Sequence, residues 1–216
     1  MRQILKDLYI LKECKIGEPT SNIYLLNTCS EDGLVLVDTG LNFNFKNAMS
    51  RLGCNPNEIK HCLLTHGHFD HVDGCKELIE INPNIRFYTH INDAENTESI
   101  VNEDRNRNFK VSCKFKEDAS NLTLRAYGFK CIHIPGHTSG GMAYSCSIAN
   151  SDVLFVGDIC GGGIKSIGGN YTDLRKSLKK LSNIKADILC DGHMNVIKPS
   201  EEVTKFIMAQ YLHWEF

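Results

Sequence analysis

The segment Thr65-His66-Gly67-His68-Phe69-Asp70-His71 concentrates four metal-ligating side chains within six residues. A single histidine among apolar residues is usually a satisfied core residue. Three histidines and an aspartate at this density suit a metal centre instead. Three further segments each put a ligand-type residue directly after glycine: Pro135-Gly136-His137, Gly157-Asp158 and Gly192-His193. Singly these are weak signals, since a lone His or Asp in a loop is more often structural. Together with the cluster they offer five imidazoles and two carboxylates, enough for two divalent cations. Such ligands suit Zn²⁺, Fe²⁺ or Mn²⁺ and need no thiolate.

These residues must be carried to one place by the elements around them. Apolar and β-branched runs predict strands at 23–26, 34–37, 61–65, 85–89, 122–126, 130–134, 142–147, 153–156 and 187–190. The polar stretch 27–33 reads as a hairpin loop. Helical patterns cover 45–52, ending at Gly53, and 72–81, stopping before Pro83. Two more cover 173–181, with Thr172 as candidate N-cap, and 201–212, with Ser200 as cap. Strands with interspersed helices predict an α/β layered domain occupying 1–216 without a dividing linker. Each Gly-ligand segment then follows a strand, and sites in open α/β sheets lie at strand carboxyl ends. The polar segment 92–118 reads as a helical excursion, a lid over the site, or a solvated connection.

The pattern His66-x-His68-x-Asp70-His71, with His137, Asp158 and His193 in order, resembles the metallo-β-lactamase-fold superfamily. The resemblance runs from Val37-Asp38-Thr39-Gly40 to His193. It implies a four-layer αββα sandwich of two mixed β-sheets flanked by helices. It also implies that His66, His68 and His137 bind one metal and that Asp70, His71 and His193 bind another. Asp158 would bridge the two, and Asp38 would support an imidazole ligand without touching metal. Within the superfamily the pattern is similar to the glyoxalase II branch. Asp158 stands where many class B β-lactamases place cysteine, and His71 completes a second site those enzymes build differently, which disfavours antibiotic hydrolysis. One helical pattern follows His193, so the resemblance does not extend to the glutathione-binding helical domain of glyoxalase II. Asp73 replaces a usual small residue, and a glutathione thioester substrate is not carried over.

The expected activity is hydrolysis of a small ester-like bond, a thioester or lactone ahead of a phosphodiester. Two cations about 3.5–4 Å apart can share a water and bring its pKa toward neutrality, giving a bridging hydroxide as nucleophile. Asp70 is the candidate catalytic residue, relaying a proton while ligating. One alternative is a mononuclear-iron oxidoreductase of the persulfide dioxygenase type, using His66, His137 and Asp158. Another is a non-catalytic metal-binding or sensing domain. A flavodiiron-type protein is disfavoured, because that pattern has Glu at the position of His68.

Bulk properties narrow the partners. A net charge of -2 provides no global basic field for nucleic acid or an anionic membrane. A small-molecule substrate is the expected partner. No apolar run is long enough to cross a bilayer, and the charged N-terminus lacks a secretory h-region, so the expected compartment is the cytoplasm. The ten cysteines contain no C-x-x-C pair and read as reduced, mostly buried small hydrophobes. Cys160 and Cys190, close in sequence to Asp158 and His193, are the two that could approach metal or substrate. The glycine-rich stretch 161–171 has the wrong frame for a Walker A loop. Its glycines suit close passage beside the metals, and Lys165 or Tyr171 could orient substrate, although a surface loop is the plainer reading. His61, His90, His133 and His213 fit no ligand pattern.

Overall fold

A computed structural model of the chain describes residues 1–15, 17–103, 108–118, 126–160 and 168–213. The strands are β1 (Arg2–Leu5), β2 (Leu8–Lys12), β3 (Ile23–Asn27), β4 (Leu34–Val37), β5 (Ile59–Leu63), β6 (Arg86–His90), β7 (Cys113–Phe115), β8 (Lys130–His133), β9 (Met142–Ile148), β10 (Ser151–Gly157) and β11 (Ile188–Asp191). The helices are α1 (Phe45–Leu52), α2 (Phe69–Val72), α3 (Cys75–Ile81), α4 (Ile91–Asn102), α5 (Tyr171–Leu181) and α6 (Ser200–His213). Strands β1 to β7 form one sheet in sequence order, and a second sheet has the order β11-β10-β9-β8. Pairing is antiparallel from β1 to β4 and parallel from β4 to β7. In the second sheet only β10 and β11 run parallel.

Period-two alternation with both faces apolar builds the layers. In β4, Val35 and Val37 point between the sheets while Leu34 and Leu36 point to the helices outside. In β10, Val153 and Phe155 point between the sheets while Leu154 and Val156 meet the outer helical layer. Phe155 sits edge-on to Tyr24 of the opposite sheet, with ring centroids 5.4 Å apart. Helices α1, α3 and α4 cover the large sheet, and α5 and α6 cover the small one. The result is an αββα sandwich of two mixed sheets, as the family resemblance implied.

Several local expectations need correction. Strands β1 and β2 arise from the charged N-terminal segment, where apolar residues alternate with polar ones too briefly to stand out. The predicted helix 72–81 is two helices: α2 starts earlier, at Phe69, and the chain breaks at Asp73-Gly74. A Cβ on Gly74 would run into the Thr39 carbonyl, so the close approach there demands glycine. Helix α5 is capped by Asn170, not Thr172; its side chain accepts from the N–H groups of Thr172 and Asp173. Ser200 lies inside α6, where the Glu202 and Val203 N–H groups bond the Pro199 carbonyl. The segment 92–118 contains α4 and β7 and buries Ala94 and Val101, so its described part is no solvated connection. The predicted strand 122–126 falls almost wholly outside the described residues. Among the described residues, no helix is long and apolar enough to cross a membrane.

Candidate metal centre

The seven predicted ligands meet at one edge of the sandwich, and both sheets contribute. His66 and His68 lie in the turn after β5, with Asp70 and His71 on α2. From the small sheet, His137 follows β8, Asp158 follows β10 and His193 follows β11. His68 Nδ1 lies 3.0 Å from both His66 Nε2 and His137 Nε2. His193 Nε2 lies 3.3 Å from His71 Nε2 and 3.2 Å from Asp70 Oδ2. Asp158 stands between these sets: Oδ1 is 3.3 Å from His71 Nε2, and Oδ2 is 3.4 Å from His137 Nε2 and 3.2 Å from His193 Nε2. Among the described residues, three groups can hold a cation: His66-His68-His137, His66-His71-Asp158 and Asp70-His71-His193.

The donor set fits divalent metal. Donors around a tetrahedral zinc with bonds of about 2.0–2.1 Å lie about 3.3 Å apart, close to the spacings above. Asp158 Oδ1 is buried and makes no hydrogen bond, leaving a lone pair directed into the cluster. Glycines make the convergence possible. A Cβ at Gly192 would strike Asp158 and His71, and Gly157 adopts φ 56° with the Thr65 side chain against it.

Electrostatics distinguish the imidazoles. Burial lowers the pKa of His66, and the neighbouring His71 charge lowers it further. Burial likewise lowers His137, to about 4, although Asp158 opposes it. These rings are neutral at pH 7, as ligation requires. Burial also works against protonation of His71, but the Asp158 and Asp38 carboxylates outweigh it and raise its pKa to about 10. Hydrogen bonds to Asp158 and Asp70 raise His193 to about 12. Binding a cation at those two rings must displace protons, so affinity weakens in acid.

Supporting contacts surround the ligands. Asp38 Oδ2 accepts from His71 Nδ1 at 2.8 Å and from Thr65 Oγ1 at 2.7 Å, while Oδ1 accepts from the Thr65 N–H at 2.8 Å. That leaves His71 Nε2 for metal. Asp191 Oδ1 accepts from the N–H groups of His193 and Met194. Asn22 donates to the carbonyls of Asp191 and Met194, and Tyr24 donates to that of Asp191. Asn22, Tyr24 and Asp191 carry no spacing signal and were not legible in the sequence as site residues. Cys14, one of ten cysteines expected to be mostly buried, is half-buried with Sγ 3.7 Å from His193 Nδ1.

The remaining candidates divide. Cys190 is buried between the sheets. Cys160 touches Met194, sulfur to sulfur at 3.4 Å, and burial pushes its thiol up to about 12. Five cysteines are buried, fewer than expected, and all ten are free. Tyr171, the first residue of α5, is partly buried against the outer core. Lys165 lies outside the described residues, as does most of the glycine-rich stretch. His61 bonds Tyr88, His90 and His133 stack on each other at 3.9 Å, and His213 is exposed on α6.

The metallo-beta-lactamase superfamily profile matches residues 16–193, and the chain belongs to this superfamily. Among curated relatives, a hydroxyacylglutathione hydrolase of Pectobacterium carotovorum is 29% identical over 178 residues, covering 79% of this chain and 61% of that protein. The one from Pseudoalteromonas translucida is 30% identical over 127 residues, covering 58% of this chain and 42% of that protein. The matches thus span about half the length of these relatives. Solved structures with the same fold include a metallo-beta-lactamase of Cronobacter sakazakii, at TM-score 0.79 and 17% identity over 99% of this chain and 92% of that one. A subclass B3 metallo-beta-lactamase of Bradyrhizobium japonicum has TM-score 0.71 and 19% identity over 97% of this chain and 92% of that one.

Proposed function

We propose that this chain, read as one unit over 1–216, is a dinuclear metallohydrolase of a small ester-like bond, a thioester or lactone ahead of a phosphodiester. The observation that carries this reading is the position of Asp158, with one oxygen toward His71 and the other toward His137 and His193. His66, His68 and His137 would hold one cation, and Asp70, His71 and His193 the other. Zn²⁺ is the expected ion, with Fe²⁺ or Mn²⁺ as alternatives; bound, the pair supplies Lewis acidity toward a substrate oxygen and a water of lowered pKa.

The chain's own groups do the rest. Asp38 fixes the His71 ring and its tautomer through Nδ1. Burial opposes ionisation of Asp70, but its bond to His193 and the His71 charge outweigh it and lower its pKa, so the group stands as the carboxylate that both ligation and proton relay require. The His193 side chain is 34% exposed and borders a cavity of about 750 Å³ that Leu11, Lys12, Cys14, Lys15 and Met194 also line. A small substrate could reach the centre from that side. The relatives named as hydrolases of hydroxyacylglutathione support an acyl substrate. The convergence of Asp70, His71 and His193 favours two metals over the single iron of a dioxygenase.

Metal analysis after anaerobic purification, with a panel of thioesters, lactones and phosphodiesters, tests the proposal. Two zinc per chain with turnover of an ester-like substrate is the expected result. One iron with oxygen uptake on a persulfide, or bound metal without turnover, would overturn it.

A further inference from the structure

We propose that Asp93, on the first turn of α4, is a positioning residue that sets the geometry of the His66-His68-His137 group. The inference rests on the two-metal reading above. Asp93 is 5% exposed, yet its carboxylate accepts three hydrogen bonds. Oδ2 accepts from the Gly67 N–H at 3.0 Å and from Thr138 Oγ1 at 2.6 Å, and Oδ1 accepts from the Gly140 N–H at 3.0 Å. Gly67 lies between His66 and His68, and Thr138 follows His137. All three donors therefore come from the two turns that deliver the three histidines, one from each sheet.

Neighbouring residues on α4 repeat the arrangement. Asn96 donates to the Gly67 carbonyl at 2.7 Å, and Asn92 donates to the Ser139 carbonyl at 3.2 Å. Thr97 in turn donates to the Asp93 carbonyl at 2.8 Å. The packing leaves no slack, because a Cβ on Gly140 would collide with the Asp93 carboxylate. One helical turn thus clamps both turns at a separation that keeps the three ring nitrogens 3.0 Å apart in sequence from His66 to His68 to His137. Asp38, by contrast, grips His71 and Thr65. The two buried carboxylates divide the work: Asp93 holds the turns of the three histidines, while Asp38 holds His71 directly and reaches His66 only through Thr65.

An amide at position 93 keeps one acceptor oxygen and sets its NH2 against either the Gly140 N–H or the Gly67 and Thr138 donors, leaving at least one buried donor unpaired. Loss of such supporting contacts typically weakens metal binding about 10–100-fold. The experiment uses cobalt(II) titration with chelator competition, read by visible absorption, on Asp93→Asn in two backgrounds. His193→Ala keeps the three-histidine group, and His137→Ala keeps the Asp70-His71-His193 group. We expect roughly 10–100-fold weaker cobalt binding in the first background and unchanged binding in the second. Unchanged binding in the first, or equal loss in both with a matching fall in melting temperature, would overturn the proposal. If Asp93→Asn does not fold, Thr138→Val removes one donor and should give a smaller loss confined to the same background. A full-length chain that takes up one cobalt instead of two sinks the dinuclear reading but leaves the clamp testable at that single site, and one that binds none sinks both.

Discussion

Asp38 Oδ2 accepts a hydrogen bond from His71 Nδ1 at 2.8 Å, and both residues are buried. The contact decides which ring nitrogen of His71 faces the cluster. Asp38 also adopts φ 57°, a left-handed conformation that Asn tolerates and most other residues do not. Asp38→Asn therefore tests the carboxylate without straining the backbone. Zinc affinity should fall about 10–100-fold, read by chelator competition. Asp38→Ala should add a loss of thermal stability from the backbone.

Asp158→Ala removes the side chain that stands between the two ligand groups. Zinc content should drop below two per chain and hydrolysis should be lost, while the far-UV circular dichroism stays the same. His66→Ala should behave alike. Undiminished turnover by Asp158→Ala would rule out a shared ligand.

Phe155 is fully buried between the sheets and packs on Tyr24. Truncation to alanine removes a large side chain that the rigid sheets cannot follow inward. Phe155→Ala should cost about 3–5 kcal/mol in urea unfolding.

His61 gives a pH dependence that lies away from the ligands. Burial holds its pKa at about 4, below the ordinary imidazole value of 6.5, despite the opposing pull of Asp32. Between these two values the unfolded chain binds a proton that the folded chain refuses. Stability should therefore fall as pH drops from 6.5 toward 4 and level off below that. The contribution is of order 2–3 kcal/mol. His61→Asn should flatten this slope relative to the parent, with both unfolded in the presence of chelator so that metal uptake does not intrude.

The layered fold and the seven ligand candidates were legible because their signals are local. His66 to His71 are contiguous, and each later ligand follows a glycine at a strand end. Apolar alternation in β4 and β10 was visible for the same reason. The supporting residues were not legible. Asp93 sits in a polar stretch whose composition suggests a solvated segment, and only the fold brings it under two distant turns. Asn22 and Tyr24 act on a loop far along the chain, and no pattern within a window can show that. The ends of β4, β5 and β6 do supply Asp38, the histidine cluster and Asp93 in turn, so the parallel order itself was the available clue.

The two sheets meet at the ligands as well as through their apolar faces. His66, His68, Asp70 and His71 belong to the seven-stranded side, and His137, Asp158 and His193 to the four-stranded side. Cations seated among them would act as rivets through the seam, so pulling the layers apart would first require ejecting the ions. Resistance to heat and proteolysis should then rise with free zinc concentration, as mass action requires of any ligand that favours the native form.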